Sequence, residues 1–249
     1  DGPGPDANPV GLLGSEADGG FAQYVVVAAG RAHDMTGSPL TDEQLACLPV
    51  AYGTATGMLE RAGIGAGETV LVTGASGGVG LALVQLAAAR GARVVALTAP
   101  GKADLLREAG AAEVVHRDAT PDALAATVAA LAPEGLDAVA DVAGGPLLPA
   151  LLPAVRDGGR WVVAGAVAGP EVALDLRRLY LHNIALIGSS MHTPAHFDRL
   201  AADAVAGRID PWVAERHDLA DIGTAQERFA RSAHVGKIVL IPAGVPSPG

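Results

Sequence analysis

The chain sorts itself by the rhythm of its apolar positions. From residue 69 onward, short runs of β-branched and aliphatic residues alternate with longer apolar stretches at helical spacing. The runs 69–72, 93–97, 112–115, 136–142, 160–164 and 183–188 are bounded by glycine or polar turns and predict six strands. Between them, 81–90, 103–109 and 120–131 carry the helical repeat, and 146–155 predicts a broken helical segment. Gly91 and Gly110 stop two of these helices, and Thr120-Pro121 caps and starts a third. Strands alternating with helices imply a parallel, doubly wound α/β sheet of the Rossmann type, with ligands at the strand C-termini.

Either side of this block the pattern is looser. Residues 1–20 are rich in Gly, Pro, Asp and Asn and read as loop. Residues 21–27, Phe-Ala-Gln-Tyr-Val-Val-Val, predict a strand entered through Asp18-Gly19-Gly20. Thr41-Asp42-Glu43-Gln44 has the form of a capping box, and residues 51–61 predict a helix ending near Gly63 and Gly65. After Ser190 come helices over 193–206 and 222–231, a last strand over 236–241 and a frayed tail over 242–249. No internal repeat is visible.

The most chemically pointed stretch is Thr69-Val70-Leu71-Val72-Thr73-Gly74-Ala75-Ser76-Gly77-Gly78-Val79-Gly80. A strand runs into a glycine-dense turn and an apolar helix follows at once. That aims the free N–H groups of the helix start at the turn and makes an anion site. Gly77 lets backbone approach a pyrophosphate, and Gly80 lets the helix pack close to the strand. Ala75 stands where the first glycine of G-x-G-x-x-G sits. Alone, such a turn also occurs in plain β–α connections. With a strand on each side of the helix it reads as a dinucleotide site, with Ala75, Ser76, Gly77, Gly78, Val79 and Gly80 against the cofactor.

NAD-preferring sites place a carboxylate after the second strand to bind the ribose 2′-OH. Here Leu97 is followed by Thr98-Ala99-Pro100-Gly101-Lys102, and the first carboxylate, Asp104, lies inside the next helix. A hydroxyl and an ammonium accept a 2′-phosphate that a carboxylate would repel. Thr98 and Lys102 therefore point to NADPH. The plain alternative is a strand-ending threonine and a solvated lysine.

Composition removes several function classes. The 249 residues suffice for one large domain or two modest ones. A net charge of −10 gives no electrostatic basis for binding nucleic acid or an anionic membrane. The one cysteine, Cys47, excludes an intrachain disulfide and suits a reducing compartment. No apolar run reaches the length of a membrane span, and residues 1–20 lack the pattern of a signal peptide, so a cytoplasmic location is expected. The sequence opens on Asp1 rather than Met, so its numbering is read as starting inside a longer polypeptide.

Thr73-Gly74-x-x-x-Gly78-x-Gly80 also matches the turn of short-chain dehydrogenases. Those enzymes need a tyrosine with a lysine four residues on, to lower the phenol pKa for proton transfer. Tyr24, Tyr52 and Tyr180 are followed at that spacing by Ala28, Thr56 and Ile184, so this reading fails.

The order of motifs resembles a different family. Asp18-Gly19-Gly20-Phe21-Ala22-Gln23-Tyr24-Val25, Leu48-Pro49-Val50-Ala51-Tyr52-Gly53-Thr54-Ala55, the stretch from Gly67 to Gly80, Asp157-Gly158-Gly159-Arg160 and His234-Val235-Gly236-Lys237-Ile238-Val239-Leu240 are similar to the medium-chain dehydrogenase/reductase superfamily, in its quinone-oxidoreductase-like branch. The resemblance covers residues 10–242. It implies a Rossmann domain over 51–190, with residues 1–50 and 191–249 belonging to a GroES-like, β-rich catalytic domain. It also implies an earlier part of that domain, bearing most substrate contacts, and leaves the catalytic acid unnamed. It puts Thr54 at the nicotinamide end and lines the rest of the groove with Val142, Ala143, Ala164, Gly165 and Ala166. Lys237 reaches the pyrophosphate or is simply a surface lysine, and Ser189 and Ser190 are weaker candidates. Residues 183–189 resemble the edge strand through which relatives pair, so a homodimer is expected.

Relatives that oxidise alcohols hold zinc as a Lewis acid, partly with a cysteine shortly before the Thr54 position. Val50 occupies that position and cannot ligate, and Cys47 reads as a small buried apolar residue. Residues 1–20 carry no four-cysteine lobe. His192 and His196 have metal-like spacing but straddle the helix start at Thr193-Pro194. His33, His116, His182, His217 and His234 are scattered and read as structural or solvated. No metal is expected. The resemblance then implies NADPH-dependent, zinc-independent hydride delivery to a small molecule, a quinone or α,β-unsaturated carbonyl. A zinc alcohol dehydrogenase and a non-catalytic nucleotide-binding protein are the alternatives.

Overall fold

The computed structural model describes residues 13–244, so the loop expected over 1–12 and the tail over 245–249 lie outside the described residues. In chain order the elements are α1 (Asp42–Ala46), a π-helical turn (Leu48–Tyr52), α2 (Gly53–Ala62), β1 (Thr69–Val72), α3 (Gly78–Ala89), β2 (Arg93–Thr98), α4 (Ala103–Glu108), β3 (Glu113–His116) and α5 (Pro121–Leu131). There follow β4 (Leu136–Asp141), α6 (Leu147–Leu151), β5 (Val155–Val163), α7 (Leu176–Leu181), β6 (Ala185–Gly188), α8 (Pro194–Val205), β7 (Val213–Asp218), α9 (Ile222–Ala230) and β8 (Lys237–Ile241).

Local chemistry sets the helix ends. The Thr41 side chain accepts from the Gln44 amide while the Gln44 side chain accepts from the Thr41 amide, completing the capping box of α1. Thr120 and Thr193 cap α5 and α8, each with proline in the first turn. Gly63 closes α2 in the left-handed conformation at φ +59°.

Six strands form one parallel sheet in the order β3-β2-β1-β4-β5-β6. The order reverses between β1 and β4, which opens a crevice at the C-terminal edge there. This is the Rossmann architecture the alternation predicts. Strand periodicity divides the core into two. Val70 and Val72 join α2, α3 and α8 on one face, through Met58, Leu59, Leu83, Leu86 and Leu200. Leu71, Val95 and Leu97 join α5 and α6 on the other, through Leu124, Val128, Leu148 and Leu151 around a fully buried Trp161. Both faces are covered, so strands read as continuous apolar runs.

Two expectations need correction, and two elements went unpredicted. Residues 21–27 form no strand; Phe21, Tyr24 and Val26 stand exposed, and none of the described strands offers them a ladder. β-Propensity without a paired edge does not make a strand. β7, which pairs in parallel with β8, escapes the apolar pattern because its half-buried positions include Glu215 and His217, hydrogen-bonded to each other. α7 buries none of its residues and so leaves no amphipathic trace; it is started by Asp175, whose side chain accepts from the Arg177 amide. β5 begins at Val155, ahead of the expected 160, because its ladder with β4 skips a bulge between Val155 and Arg160.

At Gly80 the start of α3 meets the turn after β1, where an added Cβ would lie 2.7 Å from Ala75 Cα and closer still to the Gly74 carbonyl oxygen. Gly80→Ala should therefore destabilise the protein by about 2 kcal/mol through overpacking. In thermal unfolding followed by circular dichroism, Tm should fall by roughly 4–8 °C.

Candidate functional site

The crevice is built from the β1–α3 turn. Its backbone is pinned at three points: Thr73 N–H to Ala140 O (3.1 Å), Ala75 N–H to Leu97 O (3.1 Å) and Gly77 N–H to Gly74 O (3.0 Å). Ala75 is fully buried, which a small residue at this first position allows. No side chain caps α3 at Gly77, as none caps α2, α4, α6 or α9, whereas α1, α5, α7 and α8 are capped. The first-turn amides of Gly78, Val79 and Gly80 therefore lack a capping acceptor and remain available to an anion. A Cβ on Gly77 would meet only the Gly74 carbonyl at 3.4 Å, so the turn is open on its outer side.

Lys237 lies across this opening. A Cβ on Gly78 would stand 2.7 Å from Lys237 Cδ and 3.6 Å from Ala51 Cβ, so β8 and the turn before α2 both meet the start of α3. Thr54, the second residue of α2, is half-buried on that helix.

At the end of β2, Thr98 is buried and its hydroxyl has no hydrogen-bond partner. Lys102 Nζ donates to the carbonyls of Ser232 (3.1 Å) and His234 (2.9 Å) and lies 3.5 Å from Ser76 Oγ. Burial holds the Lys102 ammonium below its ordinary pKa, and the nearby Arg117 guanidinium adds to that. The Arg117 amide donates to Thr98 O at 2.8 Å. Arg117 is a cation that sequence reasoning missed, because only the sheet order sets the end of β3 beside that of β2.

The crevice floor holds a second feature invisible in the sequence. Asp141, fully buried at the end of β4, accepts from Thr73 Oγ1 (2.5 Å), Trp161 Nε1 (3.1 Å) and the amides of Ala143 and Gly144 (both 2.9 Å). The same Thr73 hydroxyl oxygen accepts from the Val142 amide at 3.0 Å. Ala164 N–H donates to Asp141 O and Ala168 N–H to Ala143 O, tying the loops after β4 and β5 together. Glycine is required at the seam: a Cβ on Gly165 would lie 2.6 Å from Val142 O. Val142, Ala143, Ala164, Gly165 and Ala166 thus form one stitched wall, beside the turn of residues 75–80.

The donors at residues 47–50 do not suit zinc. Val50 offers no lone pair, and the Cys47 thiol is buried and donates to the Glu43 carbonyl at 3.3 Å. Burial pushes the Cys47 pKa up, away from the thiolate that binds metal. Among the described residues no three His, Cys, Asp or Glu side chains converge on one point. His196 Nδ1 accepts from the Thr193 amide and His182 bridges Asp157 and Arg178. His217 bonds Glu215, and His33 faces Asp198 at 3.6 Å.

The comparisons agree with this architecture. The family model for zinc-binding dehydrogenases matches residues 78–206. Acryloyl-coenzyme A reductase of Metallosphaera sedula is 34% identical over 203 residues, 80% of this chain and 58% of that protein. A putative quinone oxidoreductase of Bacillus subtilis is 32% identical over 92% of this chain and 71% of its own length. Among solved structures, a putative alcohol dehydrogenase from Sinorhizobium meliloti superposes with a TM-score of 0.89 at 44% identity, over 94% of this chain and 64% of that one. A 2-octenoyl-CoA carboxylase reductase in complex with NADP and 2-octenoyl-CoA gives 0.85 at 26% identity, over 93% and 56%. The chain thus spans under two thirds of several proteins it matches.

Two histidines near the crevice make stability depend on pH. Burial is the main cause that lowers the pKa of His192 and of His196, and the Arg61 guanidinium lowers both further. The unfolded chain, titrating near the ordinary value of about 6.5, binds these protons more readily than the folded one. The stability they contribute is present above that pH and is lost as pH falls below it. Tm should decline from pH 7.5 to 5.5, and His196→Gln, which keeps the capping box, should flatten the decline.

Proposed function

From the premise that the chain belongs to the medium-chain dehydrogenase/reductase superfamily, we propose that it is the nucleotide-binding part of an NADPH-dependent, zinc-independent reductase of quinones or α,β-unsaturated carbonyls. The observation that carries this is the uncapped start of α3 with Lys237 laid across it. Open amides and an ammonium facing one gap suit the two charges of a pyrophosphate.

The residues present fit the cofactor along its length. The orphaned Thr98 hydroxyl and the Lys102 and Arg117 cations provide for a 2′-phosphate. The first half of the sheet serves the adenosine and the second half, β4 to β6, the nicotinamide. There Thr54 and the wall of Val142, Ala143, Ala164, Gly165 and Ala166 orient the ring and keep water from its face. When bound, the nicotinamide supplies a hydride. The chain's own work is to hold the ring still, present the substrate and stabilise charge developing on its carbonyl oxygen. The quinone oxidoreductase and enoyl-CoA reductase relatives support this substrate class. Residues 51–190 are proposed as the Rossmann domain and the flanks 1–50 and 191–249 as parts of a catalytic domain. A cytoplasmic site of action suits the single buried thiol.

Cofactor choice is testable at one residue. With Thr98→Asp, NADPH affinity should fall about tenfold or more while NADH affinity holds or rises, as read by fluorescence titration. An unchanged ratio would overturn the assignment.

β6 forms one edge of the sheet, with Leu186 42% exposed and Tyr180 of α7 65% exposed. An apolar edge of this kind invites pairing with a second copy. Light scattering should return twice the chain mass, and Leu186→Lys should return the monomer; a monomeric wild type would refute the homodimer.

A further inference from the structure

We propose that His192 is the proton donor of this site, an imidazole seated at the nicotinamide end of the crevice by a helix face without side chains. The proposal rests on the cofactor reading above.

Backbone placement comes first. β6 ends at Gly188 on the C-terminal edge of the sheet, in the half assigned to the nicotinamide. The Ser189 amide donates to Val163 O at 2.8 Å, and Arg61 Nη1 donates to Ser189 Oγ at 2.9 Å. Arg61 also donates to the Met191 carbonyl. One residue later the capping box of Thr193 and His196 starts α8. His192 is therefore held between two clamps, a guanidinium before it and a helix cap after it.

The opposing helix is shaped to receive it. A Cβ on Gly53 would lie within 2.5 Å of His192 Cε1, and one on Gly57 would lie 3.4 Å from His192 Cα and 2.9 Å from Arg61 Nη1. Glycine inside a helical run is destabilising relative to alanine. Gly53 and Gly57 stand one turn apart on one face, and both are occupied by His192 or by the arginine that fixes it. The residue after Gly53 is Thr54.

The ring is buttressed but chemically free. Phe197 packs on His192 with centroids 5.2 Å apart and is itself packed by His33 at 4.6 Å. Among the described residues neither nitrogen of His192 has a hydrogen-bond partner, as with His116 and His234, whereas His196 and His217 each have one and His182 has two. The charged or titratable groups facing it are Arg61 of α2, His196 of α8, and His33 of the loop before α1, with Asp198 of α8 beside His33. Glu60 lies further along α2, paired with Arg90 and Arg199. Burial with these cations weakens the hold of His192 on its proton, which makes its imidazolium a better acid.

Reducing a C=C bond conjugated to a carbonyl takes up two electrons and two hydrogens. One hydrogen arrives with both electrons, from the reduced nicotinamide, at the carbon β to the carbonyl. The C=C electrons shift toward the carbonyl as an enolate. His192 then gives its N–H proton to the α-carbon, and the neutral imidazole regains a proton from water.

The test needs no turnover for its first arm. Oxidised and reduced cofactor differ by one positive charge on the ring, which only a nearby group senses strongly. The His192 ring proton, assigned by its loss in His192→Gln, should titrate roughly 0.5–1 pH unit lower with NADP⁺ bound than with NADPH bound, by NMR. In the second arm, His192→Gln should bind NADPH within about twofold of wild type. Its kcat on an enone should drop about a hundredfold, and the decline of wild-type kcat at high pH should vanish. Equal titration with both cofactors, or near-normal turnover in the variant, overturns the proposal while sparing the cofactor reading. Failure of the wild-type chain to bind NADPH overturns both.

Discussion

At Gly80 the backbones of α3 and of the turn after β1 come closer than any β-carbon permits, and the crevice follows from that contact. Because α3 is drawn down onto Ala75, its first amides face the turn instead of solvent. Because no side chain caps them, they keep their hydrogen-bonding capacity for a ligand. The sheet order then does the rest by placing this turn at the switch point, where loops from both halves diverge and leave room.

Stability and reactivity are divided along the C-terminal edge of the sheet. Asp141 is buried and accepts four hydrogen bonds, which fixes Thr73, Trp161 and the loop after β4 in one arrangement. The Thr98 hydroxyl and the α3 amides are the opposite kind of group, incompletely satisfied by the protein itself. Buried polar groups are normally paired, so an orphan hydroxyl beside a cation marks the place where something else completes the bonding. The rigid knot holds the wall against which the open groups act.

Much of this was legible in the residues. Threonine caps with a following proline, glycines at helix ends and apolar runs of strand length located the β–α alternation, and the order of small residues after Val72 located the turn. What escaped did so for physical reasons. Residues 21–27 have strand composition, yet a strand exists only with a partner, and none of the described strands provides one. β7 fills its inward positions with a histidine and a glutamate that satisfy each other, so hydrophobic alternation never registers. Arg117 carries no motif, and the spacing of His192 to His196 pointed only toward a metal; what surrounds each is set by another element.

By itself, then, the amino-acid sequence determined the local events: where helices start and stop, which runs become buried strands, and which turn leaves amides bare. Those depend on neighbours within a few residues, where side-chain chemistry and backbone sterics act directly. Only the tertiary structure decided that Lys237 crosses the start of α3, that Thr73 and Trp161 share Asp141, and that Gly53 faces His192. Those pairs lie far apart in the chain, and they meet because parallel strands must be joined by long crossovers whose packing, rather than any local signal, sets which ends come together.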